Sequence, residues 1–141
     1  MMQVVLPDTL RAQILREARA AHPHECCGLI EGVCAVEGAC EAQTFRITAL
    51  HPARNLADAP DKFDIDPRDQ FTAYKAARAR GHAIVGCYHS HPNGRAEPST
   101  ADQAGAGEEN FLWLIASRES VSAFVYSRGK FLGADWVTSS V

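Results

Sequence analysis

Between residues 8 and 22 the apolar positions recur at helical spacing, with Leu10, Ile14, Ala18 and Ala21 on one face. Asp8 stands where a cap is expected, and Pro23 ends the helix because the residue before a proline avoids helical geometry. Cys26 to Ile30 is a short apolar run closed by Glu31-Gly32, which predicts a buried strand. Residues 43 to 50 alternate instead, with Phe45 and Ile47 on one side, and predict a half-buried strand. From His51 to Pro67 come three prolines, four aspartates and few apolar residues, the pattern of a long surface loop.

Asp66-Pro67 then opens a second helix, since proline in a first turn loses no hydrogen bond, and this helix runs through Phe71, Tyr74 and Ala77 to Gly81. Ala83 to Tyr88 reads as a strand. Phe111 to Ala116 reads as another, apolar on both faces and therefore central. Val121 to Tyr126 and Phe131 to Val137 flank Ser127-Arg128-Gly129-Lys130, a hairpin with glycine in its turn. There is no repeat or interdomain linker, so residues 1–141 predict one mixed α/β domain.

Composition narrows the partners. The chain carries 14 basic against 17 acidic residues, a net charge of −3, and no basic run. Nucleic acid and anionic membrane surfaces both call for a basic stripe, so neither is an expected partner. Its longest apolar run, Phe111 to Ala116, is far short of the ~20 residues that span a bilayer. Met1-Met2-Gln3-Val4 has no basic region followed by a long apolar one, so no signal peptide is expected and the cytoplasm is the expected location. The five cysteines (Cys26, Cys27, Cys34, Cys40 and Cys87) are odd in number and form no C-x-x-C pair. They read as reduced packing residues rather than as a disulfide framework or a zinc knuckle.

The chemistry is concentrated after Tyr88, where the strand runs into His89-Ser90-His91-Pro92. Residues two apart in an extended segment point to the same side, so His89 and His91 can present both imidazoles to one point. Seven intervening residues lead to Ser99, and two more to Asp102. Two neutral imidazoles and a carboxylate suit Zn²⁺ and leave its fourth position open for water, the arrangement of a catalytic site. Ser99-Thr100-Ala101-Asp102 is also a helix capping box, and both readings hold together if the capped helix N-terminus fixes Asp102 beside the histidines.

These residues resemble the JAMM (MPN-plus) metalloprotease family, whose motif is an upstream glutamate, then His-Ser/Thr-His, seven residues, Ser, two residues and Asp. The resemblance covers roughly residues 8 to 135 and includes the His22-to-Gly28 segment and the loop with Asn55 and Phe63, as in short stand-alone bacterial members. It implies a JAB/MPN domain with a mixed central sheet flanked by helices, similar to cytidine deaminases. The deaminase motifs His-x-Glu and Pro-Cys-x-x-Cys are themselves absent. By the same resemblance Glu25, in Glu25-Cys26-Cys27-Gly28, is the general base, in preference to Glu31, Glu37 and Glu41.

The implied metal is one Zn²⁺ per chain on His89, His91 and Asp102, with Ser99 donating a hydrogen bond to the oxyanion and Ser90 facing away. The implied activity is that of a peptidase or isopeptidase acting after the C-terminal Gly-Gly of a ubiquitin-like sulfur-carrier protein. The 51–67 loop would wall the groove for that tail, with Asn55 and Phe63 as substrate contacts. The alternatives are a non-catalytic MPN scaffold and a RadC-like protein of unassigned activity. Scaffolds of that kind typically lose a ligand, and RadC-type chains usually carry an added helical N-terminal region.

Overall fold

The computed structural model describes residues 2–37 and 42–137, so Cys40 and Glu41 lie outside the described residues. In chain order the elements are β1 (Met2–Val5), α1 (Asp8–Ala21), β2 (Cys27–Glu37), β3 (Ala42–Ala53), α2 (Pro67–Ala79) and β4 (Ala83–Ser90). They continue with α3 (Thr100–Gly105), β5 (Phe111–Ala116), β6 (Val121–Ser127), β7 (Lys130–Gly133) and β8 (Asp135–Trp136). The strands form one eight-stranded sheet in the order β7-β6-β5-β4-β2-β3-β1-β8. It is mixed: β4 runs parallel to β5, and β1 parallel to β3 and β8, while the other neighbours are antiparallel. No helix among the described residues is long and apolar enough to cross a membrane.

Each face of the sheet buries its own core. On one side Val4, Ile14, Phe45, Ile47, Tyr88 and Leu114 pack together, with Leu10, Ala18 and Ala21 of α1 against them, so the apolar stripe predicted for that helix is the buried one. On the other side Leu29, Ile84, Cys87 and Trp113 pack with Ala73 and Ala77 of α2. β5 feeds both cores, as expected of a central strand.

Several local expectations change. Pro7 occupies the cap position of α1 and no side chain caps it; Asp8 is the first helical residue and instead places its charge near the positive end of the helix. Asp66 does cap α2, its Oδ1 accepting from the Arg68 amide at 2.9 Å. In α2 the buried residues are Ala73 and Ala77, whereas Phe71 is 71% exposed and Tyr74 39%. The small residues let the helix lie close on the sheet, and the aromatics are left on its outer side. The hairpin turn is two-residue, with Arg128 and Gly129 both at positive φ (51° and 77°), the geometry that suits the twist of the flanking strands.

The expected strand from 131 to 137 is split. Its first part, β7, pairs with β6, and its second part, β8, pairs with β1 at the opposite edge. A chain that passes from one edge to the other through Ala134 alone requires the sheet to curl until its edges meet. Trp136 packs into the α1-side core, and the Arg11 guanidinium lies 4.2 Å above its ring. β1 carries no sequence signal of its own; it exists because β3 and β8 supply partners on both sides.

Two register shifts meet at Glu31. The β2–β4 pairing slips between Ile30 and Glu31, and the β2–β3 pairing between Glu31 and Gly32. The slip leaves Val85 as an extra residue on β4 and resets the alternation of faces. Ile84 and Cys87, three residues apart, therefore share the α2-side core, while Val85 and Tyr88 share the other. This reset sends the side chain of His89 toward the α2 side.

Glu31 is fully buried beneath Arg80, His51 and His82, with contacts of 2.6 Å to Arg80 Nη2, 2.8 Å to His51 and 2.6 Å to His82. The Arg80 hydrogen bonds lead in holding its carboxyl far below the usual carboxylate range, against the opposing effect of burial. A depressed folded-state pKa stabilises at pH above the unfolded value, near 4.5, and this contribution is lost as pH falls below it. Glu31→Gln should cost about 1.5–3 kcal/mol at pH 7. In thermal denaturation the gap to the wild type should close as pH drops from 5 toward 3; a gap independent of pH would contradict the ion-pair account.

Candidate metal centre

The site sits where β4 ends beside α3. His89 is held on both sides, opposite Cys27 of β2 and Ile115 of β5. His91 lies just beyond the strand, and its amide donates to the Ala116 carbonyl at 2.8 Å, which continues the β4–β5 ladder far enough to fix it. Ser90, between them, faces the other way; its Oγ accepts from the Cys26 amide at 2.9 Å and is buried. Gly28 lies against Tyr88, where a Cβ would come within 2.5 Å of the phenol ring, so only glycine lets β2 approach that closely.

Three donor atoms converge on one point. His89 Nε2 and His91 Nε2 lie 3.0 Å apart, and Asp102 Oδ2 lies 3.1 Å from each. Asp102 is buried and is fixed by a complete capping box: the Ser99 amide donates to its Oδ2 at 2.9 Å, and the Asp102 amide donates to Ser99 Oγ at 3.0 Å. That Oγ still has its own hydroxyl hydrogen to donate. His91 Nδ1 is 2.8 Å from the Arg95 carbonyl, which can only accept, so Nδ1 carries the proton and the neutral ring offers a lone pair at Nε2. Phe63 stacks on the His89 ring at 4.3 Å, and Trp113 meets it edge-on at 5.6 Å.

Glu25 lies two residues before the start of β2 and is 4% exposed. Its carboxylate and the ligand atoms of His89 and His91 all lie within 4.8 Å of one another, a grouping able to hold a metal ion. Its Oε1 is buried without a hydrogen-bond partner among the described residues. Burial, reinforced by the nearby Asp102 and Asp61 carboxylates and opposed by His91, raises the Glu25 pKa to about 7. For Asp102 burial acts in the same direction, but the contacts from His89 and His91 outweigh it and hold that carboxyl well below the usual range.

Burial lowers the pKa of His89 against the pull of Asp102. In His91 burial is overcome by Asp102 and the Arg95 carbonyl, and the pKa rises. With its proton on Nδ1, neutral His91 turns its Nε2 lone pair toward Asp102 Oδ2 at 3.1 Å, acceptor against acceptor, and the single Nε2–H that His89 can offer at 3.0–3.1 Å must be shared between the two. A divalent cation between them satisfies all three donors at once. Asp102 contacts both imidazoles and is the better third ligand; Glu25, farther out, keeps an oxygen free.

A family model described as prokaryotic homologs of the JAB domain matches residues 7–127. The chain belongs to the prokaryotic JAB family. Among its relatives, a desampylase of Haloferax volcanii is 29% identical over 111 residues, covering 78% of this chain and 74% of that protein. A probable TtuB-protein conjugate cleaving protease of Thermus thermophilus is 31% identical over 125 residues, covering 89% and 74%. Another relative is matched over only 37% of its own length. In three dimensions, protein DSY2949 of Desulfitobacterium hafniense superposes with a TM-score of 0.79 at 28% identity, covering 97% of this chain and 92% of that one.

In this JAB domain the five residues singled out by the motif, Glu25, His89, His91, Ser99 and Asp102, are brought to one place. Asn55 spends both its amide hydrogens and its Oδ1 on main-chain groups around the base of the 51–67 loop. Phe63 lies against the His89 ring and also lines a cavity of about 630 Å³ with Leu29, Ile65, Phe111 and Trp113. A second cavity, of about 460 Å³, is lined by Glu25, His91, Arg95 and Ser99; Asp61 borders both. Sequence reasoning missed Trp113 and the Arg95 carbonyl. Trp113 reads as an ordinary core residue, and a main-chain oxygen has no sequence signal.

Proposed function

We propose that this chain is a zinc-dependent peptidase that hydrolyses the amide bond after the C-terminal Gly-Gly of a ubiquitin-like, sulfur-carrier-type protein. The observation that carries this reading is the convergence of His89, His91 and Asp102, with a buried, unpartnered Glu25 oxygen beside them. The names of the haloarchaeal and Thermus relatives, a desampylase and a conjugate-cleaving protease, support the substrate class. The same reading places the protein in the cytoplasm with its carrier, in keeping with the free thiols at Cys26, Cys27, Cys34 and Cys87.

His89, His91 and Asp102 would hold one Zn²⁺. When bound, it supplies Lewis acidity that brings the pKa of a water toward ~7 and polarises a carbonyl. Glu25, with its pKa near 7, takes the proton of the attacking water and returns it to the leaving amine. Ser99 donates its free hydroxyl hydrogen to the oxygen that gains charge at the scissile carbonyl. It has no nucleophilic role, because both nearby histidines are turned to the metal. The two cavities that share Asp61 in their linings would receive the chain on either side of the scissile bond.

The test is mass spectrometry of a ubiquitin-like carrier with one residue added after its Gly-Gly, incubated with zinc-loaded protein. The expected product is the carrier ending in Gly-Gly, formed only without chelator and restored by added zinc. Alkylation of thiols should leave the rate unchanged, since burial raises the Cys26 thiol to about 11 and Cys27 to about 12. Inactivation by alkylation alone would point to a cysteine nucleophile. An intact carrier after prolonged incubation with zinc-loaded protein would overturn the assignment.

A further inference from the structure

We propose that Asn55 is a positioning residue, a single side chain that ties the general base Glu25 and the ring covering His89 to one closed loop. The inference deepens the peptidase reading and rests on it for its kinetic part. A carboxamide has two N–H donors and two carbonyl lone pairs. In Asn55 all four are used, and every partner is main chain. Nδ2 donates to the Glu25 carbonyl and to the Lys62 carbonyl, each at 3.0 Å; Oδ1 accepts from the Ala57 and Asp64 amides, each at 2.9 Å.

Lys62 and Asp64 flank Phe63, so Asn55 grips the backbone on both sides of the residue whose ring stacks on His89 at 4.3 Å. The Glu25 carbonyl lies thirty positions away in sequence and belongs to the base itself. The neck of the loop is closed by the Asn55–Ile65 bridge, by the Leu56 amide on the Asp64 carbonyl at 2.8 Å, and by the Asp66 amide on the Arg54 carbonyl at 3.0 Å. Below the neck, the Arg54 amide donates to Asp69 Oδ2 at 2.8 Å, which anchors the loop to α2. No capacity remains on Asn55 for substrate, so its effect on the reaction must pass through Glu25 and Phe63.

No other residue type reproduces this set. Alanine removes all four bonds. Aspartate keeps the acceptors for the Ala57 and Asp64 amides but cannot donate to the two carbonyls. The pair Asn55→Ala and Asn55→Asp thus separates closing the loop from holding Glu25. In both variants kcat should fall about 10²-fold with KM within about threefold, as for a small misplacement of a catalytic group. In Asn55→Ala amide hydrogen exchange at Ala57 and Asp64 should quicken at least tenfold, and the ring-current shift of the His89 imidazole protons should shrink; in Asn55→Asp exchange at both amides should stay slow.

Phe63→Leu provides a fold-preserving control. It should remove the part of the ring-current shift due to Phe63 and leave that due to Trp113, keep exchange at Ala57 and Asp64 unchanged, and weaken zinc binding about 10–100-fold, as loss of a ligand's supporting neighbour does. A rise in KM at wild-type kcat would overturn the proposal in favour of a substrate contact. Wild-type kcat in Asn55→Ala, or unchanged exchange and ring-current shift there, would also overturn it. If the wild type itself cleaves no conjugate, the peptidase reading fails separately, and the exchange and ring-current measurements still decide the tie.

Discussion

Zinc should be lost from Asp102→Asn and from His89→Ala, while the wild type takes up about one ion per chain. The loss should be large because both residues supply donor atoms at the point of convergence, with Asp102 Oδ2 3.1 Å from each imidazole. Affinity should fall by more than the ~10–100-fold typical of outer-shell partners. Asparagine at 102 can still accept from the Ser99 amide, so the capping box largely survives and the melting temperature should change little. His89→Ala differs: the ring is fully buried between Phe63 and Trp113, and its removal should cost roughly 2–4 kcal/mol in cavity terms. Metal analysis after gel filtration, beside thermal melts, separates the two effects. Full zinc occupancy in both variants would sink the three-ligand site.

Glu25→Gln should abolish measurable turnover, with a loss of about 10²–10⁴-fold, and keep its zinc. The reason is positional: the carboxylate is near the ligand atoms without meeting them as Asp102 does, and one of its oxygens is buried with no partner. A glutamine there fills the same space but cannot accept and return a proton. The variant should also be no less stable than the wild type in the metal-free state. Burial raises the carboxyl to about 7, so the stability it contributes is present at low pH and lost as pH rises through that value. A neutral amide does not suffer that loss, and the difference in melting temperature should favour the variant above pH 7. A zinc-loaded Glu25→Gln protein with wild-type turnover would refute the general-base assignment.

The candidate site was unusually legible because its central part is local. His89, His91, Ser99 and Asp102 lie within fourteen consecutive residues, where strand alternation and a capping box determine which side chains can meet. Glu25 was not legible in this way. Its sequence shows only an acid before an apolar run, and it reaches the centre because β2 pairs antiparallel with β4 and sets Cys27 opposite His89. For Asn55, composition marks a loop without saying that the side chain turns back onto the main chain. In α2 the helical spacing marks where the helix runs, but the sheet beneath selects the face it buries, that of Ala73 and Ala77, and leaves Phe71 and Tyr74 exposed.

The sequence by itself determined the elements with strong periodicity, the hairpin with glycine in its turn, and the set of atoms able to bind a metal. These depend on neighbours within a few positions, where backbone geometry alone decides. Only the tertiary structure decided that residues 130–136 divide between opposite edges of the sheet, that two register shifts at Glu31 turn His89 toward α2, and that Asn55 holds Glu25. Each is a pairing between segments far apart in the chain, selected by which partner buries the most surface and leaves the fewest main-chain groups unpaired.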